Sequence, residues 1–150
     1  MKTILIAAAI VRDEAGRFLL VRKRGSDIFF QPGGKIDAGE QPEIALIREI
    51  EEELGILIDE SQLRYAAKMS APAANEDDAT VEAELFHLRL KDGQMPVASS
   101  EIEELLWNPP GDTRRPVALL SQSIQARFAK DYGALRGSTR FPSLSNRCRC

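Results

Sequence analysis

A stretch of helical periodicity between Pro42 and Leu54 constrains this chain more than any other feature of its sequence. Proline is tolerated in the first turn of a helix, and Gly55 stands where a left-handed residue would end one. One stripe of the predicted helix is apolar and should face a core: Ile47, Ile50 and Leu54. A second stripe collects carboxylates: Glu49, Glu52 and Glu53.

The clustered glutamates admit two interpretations from their spacing alone. Their side chains emerge about one turn apart and repel each other by some tenths of a kcal/mol per pair unless a cation neutralises them. Hard divalent cations such as Mg²⁺ prefer oxygen ligands and leave positions open for phosphate oxygens and water, which indicates metal-assisted phosphoryl chemistry. The alternative is a solvated acidic helix face, which is the usual meaning of a glutamate run.

The wider spacing around the helix favours the first interpretation. Gly34 is followed after five residues by Glu40 and, after seven more, by the run Arg48–Ile56, which reads REIEEELGI. Seven fixed identities and two aliphatic positions would coincide by chance on the order of 10⁻⁹ times per start site at average residue usage. This pattern resembles the Nudix box, and the resemblance extends over residues 1–133. It implies an α/β (α+β) Nudix fold, with a mixed β-sheet sandwiched between helices and the box as a loop–helix–loop.

The resemblance implies a metal site and its ligands. Nudix hydrolases bind Mg²⁺, with Mn²⁺ as an alternative, through the last two box glutamates, here Glu52 and Glu53. Glu49 is implied as a further ligand or as the general base. The first glycine of the Gly-Gly pair, Gly33, is implied to contribute its backbone carbonyl.

Other box positions support these ligands. Glu40 is implied to brace Arg48, which belongs to the catalytic set because one cation among carboxylates can hold ligands in register. Gly34 and Gly55 are structural positions of the motif. We also expect an acidic residue from outside the box, with Glu101 as first candidate and Glu104 as second, although surface charge is an equal alternative for both.

Basic and aromatic residues supply candidates for substrate contacts. Three basic residues are our preferred phosphate contacts: Arg22 and Arg24 at the end of the second strand, and Lys35 in the box loop. The alternative is that each of these side chains is only exposed to solvent. Three aromatic residues could stack a base but more often fill a core: Phe29, Phe30 and Trp107. His87 lies among apolar residues, which favours packing or exposure over catalysis.

The rest of the chain predicts strands and one late helix. Two apolar runs, Ile4–Val11 and Phe18–Val21, flank turn residues and predict a β-hairpin. Further strands are expected at Phe29 and Phe30, where Pro32, Gly33 and Gly34 stop the strand, and at Leu63–Met69, Val81–Leu90 and Glu101–Trp107. A helix should open at Pro116, bury Val117, Leu120, Ile124 and Phe128, and end at Gly133. We expect a separate basic tail at 134–150, whose Cys148 and Cys150 are incidental.

Charge distribution limits the partners. Residues 37–60 carry nine acidic residues against one base, whereas 134–150 carry four arginines and no acid, so the formal net charge of -3 hides a segregation. The acidic block argues against nucleic-acid binding. The apolar run near the N-terminus is too short for a membrane span or a normal signal peptide, so we expect a cytoplasmic protein with no membrane partner. The sequence leaves open whether the protein forms a homodimer.

The sequence therefore predicts a Mg²⁺-dependent pyrophosphohydrolase that acts on a nucleotide-type small molecule, a nucleoside diphosphate linked to another group. The short chain resembles MutT-type enzymes that cleave a (d)NTP or modified nucleotide to the monophosphate and pyrophosphate. ADP-ribose or dinucleoside polyphosphate hydrolysis is the alternative, because Pro72 lies near where ADP-ribose members often carry a proline. A rival from another class is a catalytically silent Nudix-fold nucleotide sensor.

Overall fold

The computed structural model of the protein describes residues 2–73 and 77–138, with side chains described as far as residue 130. The strands of this part are β1 Lys2–Ile10, β2 Phe18–Lys23, β3 Phe29–Phe30, β4 Gly33–Lys35, β5 Leu63–Pro72, β6 Ala79–Leu88 and β7 Ile102–Asn108. The α-helices are α1 Pro42–Leu54 and α2 Leu119–Ser138, and a short 3₁₀ turn, Glu60–Gln62, precedes β5.

The strands form two sheets. The larger has the order β4–β1–β6–β5 and the smaller has the order β3–β2–β7. Strands β1 and β6 are parallel, with Ala8 opposite Leu85, and every other pair is antiparallel. The predicted mixed α+β architecture is therefore confirmed.

The second half of strand β1, from Ala7 to Ile10, is buried on both faces and separates two apolar layers. Because successive side chains of a strand point to opposite faces, Ala7 and Ala9 pack toward α1 while Ala8 and Ile10 pack toward α2. The α1 layer includes Leu46, Ile50 and Leu54, and the α2 layer includes Leu120, Ile124 and Phe128. The large sheet is thus sandwiched between the helices, which holds the first turns of α2 opposite strand β4.

Helix α1 begins and ends where the sequence predicts. Pro42 occupies its first turn, and Gly55 ends it in the left-handed region at φ 68°, with its N–H donating to the Glu51 carbonyl at 3.0 Å. This defined end helps to fix which face of α1 is turned toward the core. Ile50 and Leu54 are fully buried, as expected, and Ile47 packs against them.

Three sequence expectations are wrong. Strands β1 and β2 do not form a hairpin: they lie in different sheets and meet only beside the turn, where Leu19 N–H donates to the Val11 carbonyl. Helix α2 neither opens at Pro116 nor ends at Gly133 but runs from Leu119 to Ser138. Strand β3 does end before Pro32, as expected, and residues 33 and 34 then enter strand β4, because glycine lets the backbone lie against Ala7 and Ala8 of β1.

The basic tail predicted from the sequence extends beyond the part described. Residues 74–76 of the β5–β6 loop and residues 139–150, including Cys148 and Cys150, lie outside the described residues. Within the described chain, no helix combines the length and the apolar character needed to cross a membrane.

Candidate active site

Helix α1 buries one of its glutamates against strand β4. Glu53 is only 3% exposed, and its Oε1 accepts a hydrogen bond from the Gly33 N–H at 3.0 Å. Burial raises the pKa of Glu53 to about 8, opposed by the Gly33 hydrogen bond and reinforced by the charges of Glu49 and Glu101. A carboxyl group in this position is costly to ionise unless a cation approaches it.

Glu49 lies one turn earlier and packs directly on Gly34. A Cβ at residue 34 would stand 2.4 Å from Glu49 Cδ, so glycine is needed there to leave room for the carboxylate. Burial raises the pKa of Glu49, the charge of Glu52 adds to this, and the hydrogen bond from Arg48 opposes it. Glu52 is exposed at the surface of the helix.

Arg48 links the helix to the loop that precedes it. Its Nε and Nη2 donate to the two oxygens of Glu40 at 3.1 and 2.8 Å, and its Nη1 donates to Glu49 Oε2 at 2.8 Å. Its Nη2 also donates to the Lys35 carbonyl at 3.2 Å. The hydrogen bond from Arg48 holds the pKa of Glu40 below its usual value. The contact expected between Glu40 and Arg48 is present, and it fixes the direction of the Glu49 carboxylate.

Glu49 and Glu52 border a cavity of about 480 Å³ that lies beside the large sheet and the start of α2. Its charged lining residues are Lys23, Lys35, Glu49, Glu52 and Glu101, and Gly33 and Gly34 also line it. Much of the remaining lining is apolar, with these residues: Ile4, Ile6, Ala8, Val81, Ala118 and Leu120. A volume of this size, with a few polar groups and apolar walls, is typical of a small-molecule site.

The two outer glutamates occupy different surroundings. Glu101 lines the cavity, with its Oε2 3.7 Å from Lys23 Nζ. Glu104 accepts hydrogen bonds from Arg22 and Arg115 at 2.9–3.1 Å, and these partners lower its pKa. Since its charge is already compensated, the structure favours Glu101 over Glu104 as the acid from outside the box.

Of the three preferred basic contacts, only Lys35 lines the cavity. Arg22 donates to Glu104 and to the Ser26 carbonyl, and Arg24 donates to Glu103 and to the Ser100 carbonyl, so neither lines the cavity. Lys23 lines it instead, because alternate residues of a strand face opposite sides. Lys35 lines the cavity as expected.

The aromatic candidates divide between core and cavity. Phe29 is fully buried, and Trp107 packs against the α1 layer, so both follow the core interpretation. Phe30 lines the cavity, with Lys23 Nζ 5.9 Å from its ring centre. His87 packs edge-on against Phe128, at 5.4 Å between ring centres, outside the cavity.

The donor chemistry of the acidic residues at and beside the cavity fits a hard divalent cation. The potential ligands are carboxylate oxygens, and the buried carboxyl of Glu53 accepts a hydrogen bond from the Gly33 N–H. Across the described residues, no three acidic, histidine or cysteine side chains converge in a preformed ion site.

Sequence reasoning missed two polar residues of the cavity. Gln31 and Ser121 are both buried, and the Gln31 N–H donates to Ser121 Oγ at 3.0 Å. They are 90 positions apart, and their contact depends on how α2 packs on the large sheet. The only local signals were that Gln31 directly follows two phenylalanines and that Ser121 lies about one turn before Ile124 on the predicted apolar stripe of the helix.

Known proteins resemble this chain in sequence. A model of the NUDIX domain matches residues 2–131. The chain is 47% identical over 78 residues to an 8-oxo-dGTP diphosphatase of Haemophilus influenzae, an alignment that covers 45% of this chain and 57% of that protein. It is 43% identical over 61 residues to an 8-oxo-dGTP diphosphatase of Escherichia coli, covering 37% of this chain and 46% of that protein. The alignments thus span about half the length of these relatives.

The similarity to solved structures extends over most of the chain. The crystal structure of a MutT NUDIX hydrolase from Burkholderia pseudomallei superposes with a TM-score of 0.69 at 24% identity. The superposition covers 84% of this chain and 98% of that one. At this level of identity the likeness shows a shared fold.

Proposed function

This chain belongs to the NUDIX domain family and has its fold, and from that premise we propose that it is a Mg²⁺-dependent nucleotide pyrophosphohydrolase. The proposed reaction converts a (d)NTP or modified nucleotide to the monophosphate and pyrophosphate. The observation that carries the proposal is a single cavity lined by three glutamates, Glu49, Glu52 and Glu101, by two lysines and by a set of apolar residues. The names of the two relatives, 8-oxo-dGTP diphosphatases, support an oxidised purine nucleotide as a first substrate to test.

The division of the cavity suggests how substrate would lie in it. Lys23 and Lys35 supply positive charge for the phosphates, and the apolar walls accept the nucleoside. Glu52 and Glu53 would hold Mg²⁺, together with the Gly33 carbonyl, and Glu49 would serve as a further ligand or as the general base. When bound, the ion supplies charge neutralisation at the phosphoryl oxygens and lowers the pKa of water.

The remaining chemistry falls to the side chains. Water attacks a phosphorus of the anhydride, the bond from that phosphorus to the bridging oxygen breaks, and a carboxylate accepts the proton of the water. Glu49 is our first candidate for this base because its position is fixed by Arg48 and Gly34. Glu101 is the second candidate for the base, since it lines the same cavity as Glu49.

A substrate panel with matched variants tests the proposal. Purified protein is incubated with Mg²⁺ and dGTP, 8-oxo-dGTP, the other dNTPs, ADP-ribose or diadenosine polyphosphates, and products are identified chromatographically. We expect Glu53→Gln and Glu52→Gln each to lower kcat by at least about 100-fold with the fold intact. Glu51→Gln is the control, because Glu51 is exposed on the same helix and does not line the cavity. Wild-type turnover in a folded Glu53→Gln variant would refute the assignment.

The same panel separates the two alternatives. Pro72 lines the cavity, which favours ADP-ribose hydrolysis as the second candidate, and AMP with ribose 5-phosphate would be its products. Nucleotide binding without Mg²⁺-dependent cleavage of any compound would instead indicate a silent sensor.

A further inference from the structure

One buried oxygen at the cavity has no hydrogen-bond partner in the described part of the chain. It is Oε1 of Gln31, a residue that is 6% exposed, lies between β3 and β4, and lines the cavity. Folding removes this oxygen from water without replacing the lost hydrogen bond, which costs free energy in the ligand-free protein. The reaction proposed above does not use it.

The orientation of the Gln31 amide is fixed by its surroundings. Its Nε2 donates to the Ala9 carbonyl of β1 at 3.1 Å. Turning the amide over would place two acceptor oxygens against each other, so Oε1 must face away from Ala9. The backbone is held from the other side, where the Gln31 N–H donates to Ser121 Oγ of helix α2. The acceptor therefore stands at a defined place between sheet and helix.

The chemistry of the acceptor limits what can approach it. Phosphate oxygens are themselves acceptors and carry negative charge, so they gain nothing from an amide oxygen. The neighbouring walls are apolar, with Ile6, Ala8 and Leu120 lining the same cavity, and suit the flat faces of a base. The edge of a base carries N–H donors that match an amide oxygen.

We propose that Gln31 Oε1 accepts a hydrogen bond from an N–H of the nucleotide base and so determines which bases the cavity accepts. This inference rests on the proposed function, because it takes the ligand to be a nucleotide. Since the oxygen is almost fully covered, the donor reaches it only after a side chain at the cavity wall moves aside. A base without the N–H leaves the buried acceptor unpaired and is rejected.

Binding of monophosphates tests the inference independently of catalysis. Their affinities are measured by calorimetry with Mg²⁺ present, using dGMP, 8-oxo-dGMP and dAMP, whose bases carry N–H donors. The comparison ligand is the monophosphate of purine deoxyriboside, whose base has none. We expect wild-type protein to bind at least one of the first three more tightly than the comparison ligand by about tenfold or more. Absence of this preference overturns the inference, even if Gln31 variants fail to fold.

Gln31→Met keeps the length of the side chain and removes the acceptor. We expect it to reduce the preference to within about threefold while leaving affinity for the comparison ligand nearly unchanged. Gln125→Met is the matched control, because Gln125 is equally buried but its Oε1 accepts from Asn108, and it does not line the cavity. An unchanged preference in Gln31→Met overturns the inference.

The source of the donor is tested separately. A 3′-deoxy nucleotide that loses as much affinity as the base analogue would assign the donor to the sugar and also overturn the inference. Because monophosphates contain no anhydride, these results stand whether or not the protein hydrolyses any nucleotide. Failure of the hydrolysis panel and failure of this experiment are therefore distinguishable.

Discussion

Replacing Glu53 by glutamine should stabilise the metal-free protein at alkaline pH. Burial raises the pKa of Glu53 to about 8, whereas the same carboxyl group in the unfolded chain has its ordinary pKa of 4.5. Between these values the folded protein holds a proton that the unfolded chain has released, so stability falls as pH rises. Glutamine does not titrate and can still accept the Gly33 hydrogen bond, so the variant escapes this loss.

The size of the effect follows from the two pKa values. Each pH unit between them lowers the free energy of unfolding by up to about 1.4 kcal/mol, so the loss from pH 5 to pH 8 approaches about 3 to 4 kcal/mol. At pH 5 the buried Glu53 is protonated and resembles glutamine, so wild type and variant should differ little. Above pH 8 both states of the wild type are ionised and the difference should level off.

Urea unfolding of both proteins from pH 5 to pH 9, with a chelator present, measures the difference directly. The quantity compared is the free energy of unfolding of Glu53→Gln minus that of the wild type. Glu51→Gln serves as the control and should follow the wild type, because Glu51 is exposed. Parallel pH curves for wild type and Glu53→Gln would refute the claim that Glu53 is buried with a raised pKa.

Three further predictions concern the same site. Gly34→Ala should fold but displace the Glu49 carboxylate and lower kcat by about 10-fold or more. In Gly33→Ala the Cβ would stand 2.1 Å from a backbone carbonyl oxygen, so this variant should lose about 2 to 5 kcal/mol of stability. Thermal unfolding and kinetics on the two variants check this contrast, and equal stabilities would contradict it. Lys23→Ala should raise KM about 10-fold, whereas Arg24→Ala should leave it unchanged, and substrate titrations measure both values. A raised KM in Arg24→Ala alone would favour Arg24, the residue chosen from the sequence, as the phosphate contact. Mg²⁺ at about 100 times its Kd should stabilise the wild type by about 2.7 kcal/mol, measured as a rise in Tm, and an unchanged Tm would argue against a metal site.

Local rules were sufficient for the helix that carries the candidate site. The bounds of α1 follow from Pro42 and Gly55, each of which acts through its own backbone geometry. The common face of the three glutamates follows from helical periodicity in the same way. The contact between Arg48 and Glu40 was expected from the family resemblance, and it spans only eight residues.

Expectations that depended on distant parts of the chain were less successful. The turn after β1 has hairpin chemistry, but β1 pairs with β6, more than 70 residues away, and β2 pairs with β7. Arg22 and Arg24 do not line the cavity, and foreseeing this requires knowing which face of β2 points to the cavity. That face is decided by packing between β2 and β7, which no local pattern reveals.

Periodicity also could not distinguish the glutamates from one another. Glu52 and Glu53 are adjacent on the helix, yet one is exposed and the other is buried. The difference arises because α1 lies against β4, where the Gly33 N–H meets Glu53. Which carboxylate carries the raised pKa is thus a property of tertiary packing.

Two costly buried polar groups of the described chain lie at or next to the cavity. Glu53 has a raised pKa and accepts a hydrogen bond from the N–H of Gly33, which lines the cavity. Oε1 of Gln31, another lining residue, has no partner within the described chain. Apolar residues of similar size at these positions would avoid both costs, since other contacts of the core are satisfied. A cation near Glu53 and a base N–H near Gln31 would each relieve one cost, and a single nucleotide bound with Mg²⁺ can bring both. The placement of these two groups therefore argues that ligand binding, rather than stability of the empty protein, accounts for both residues.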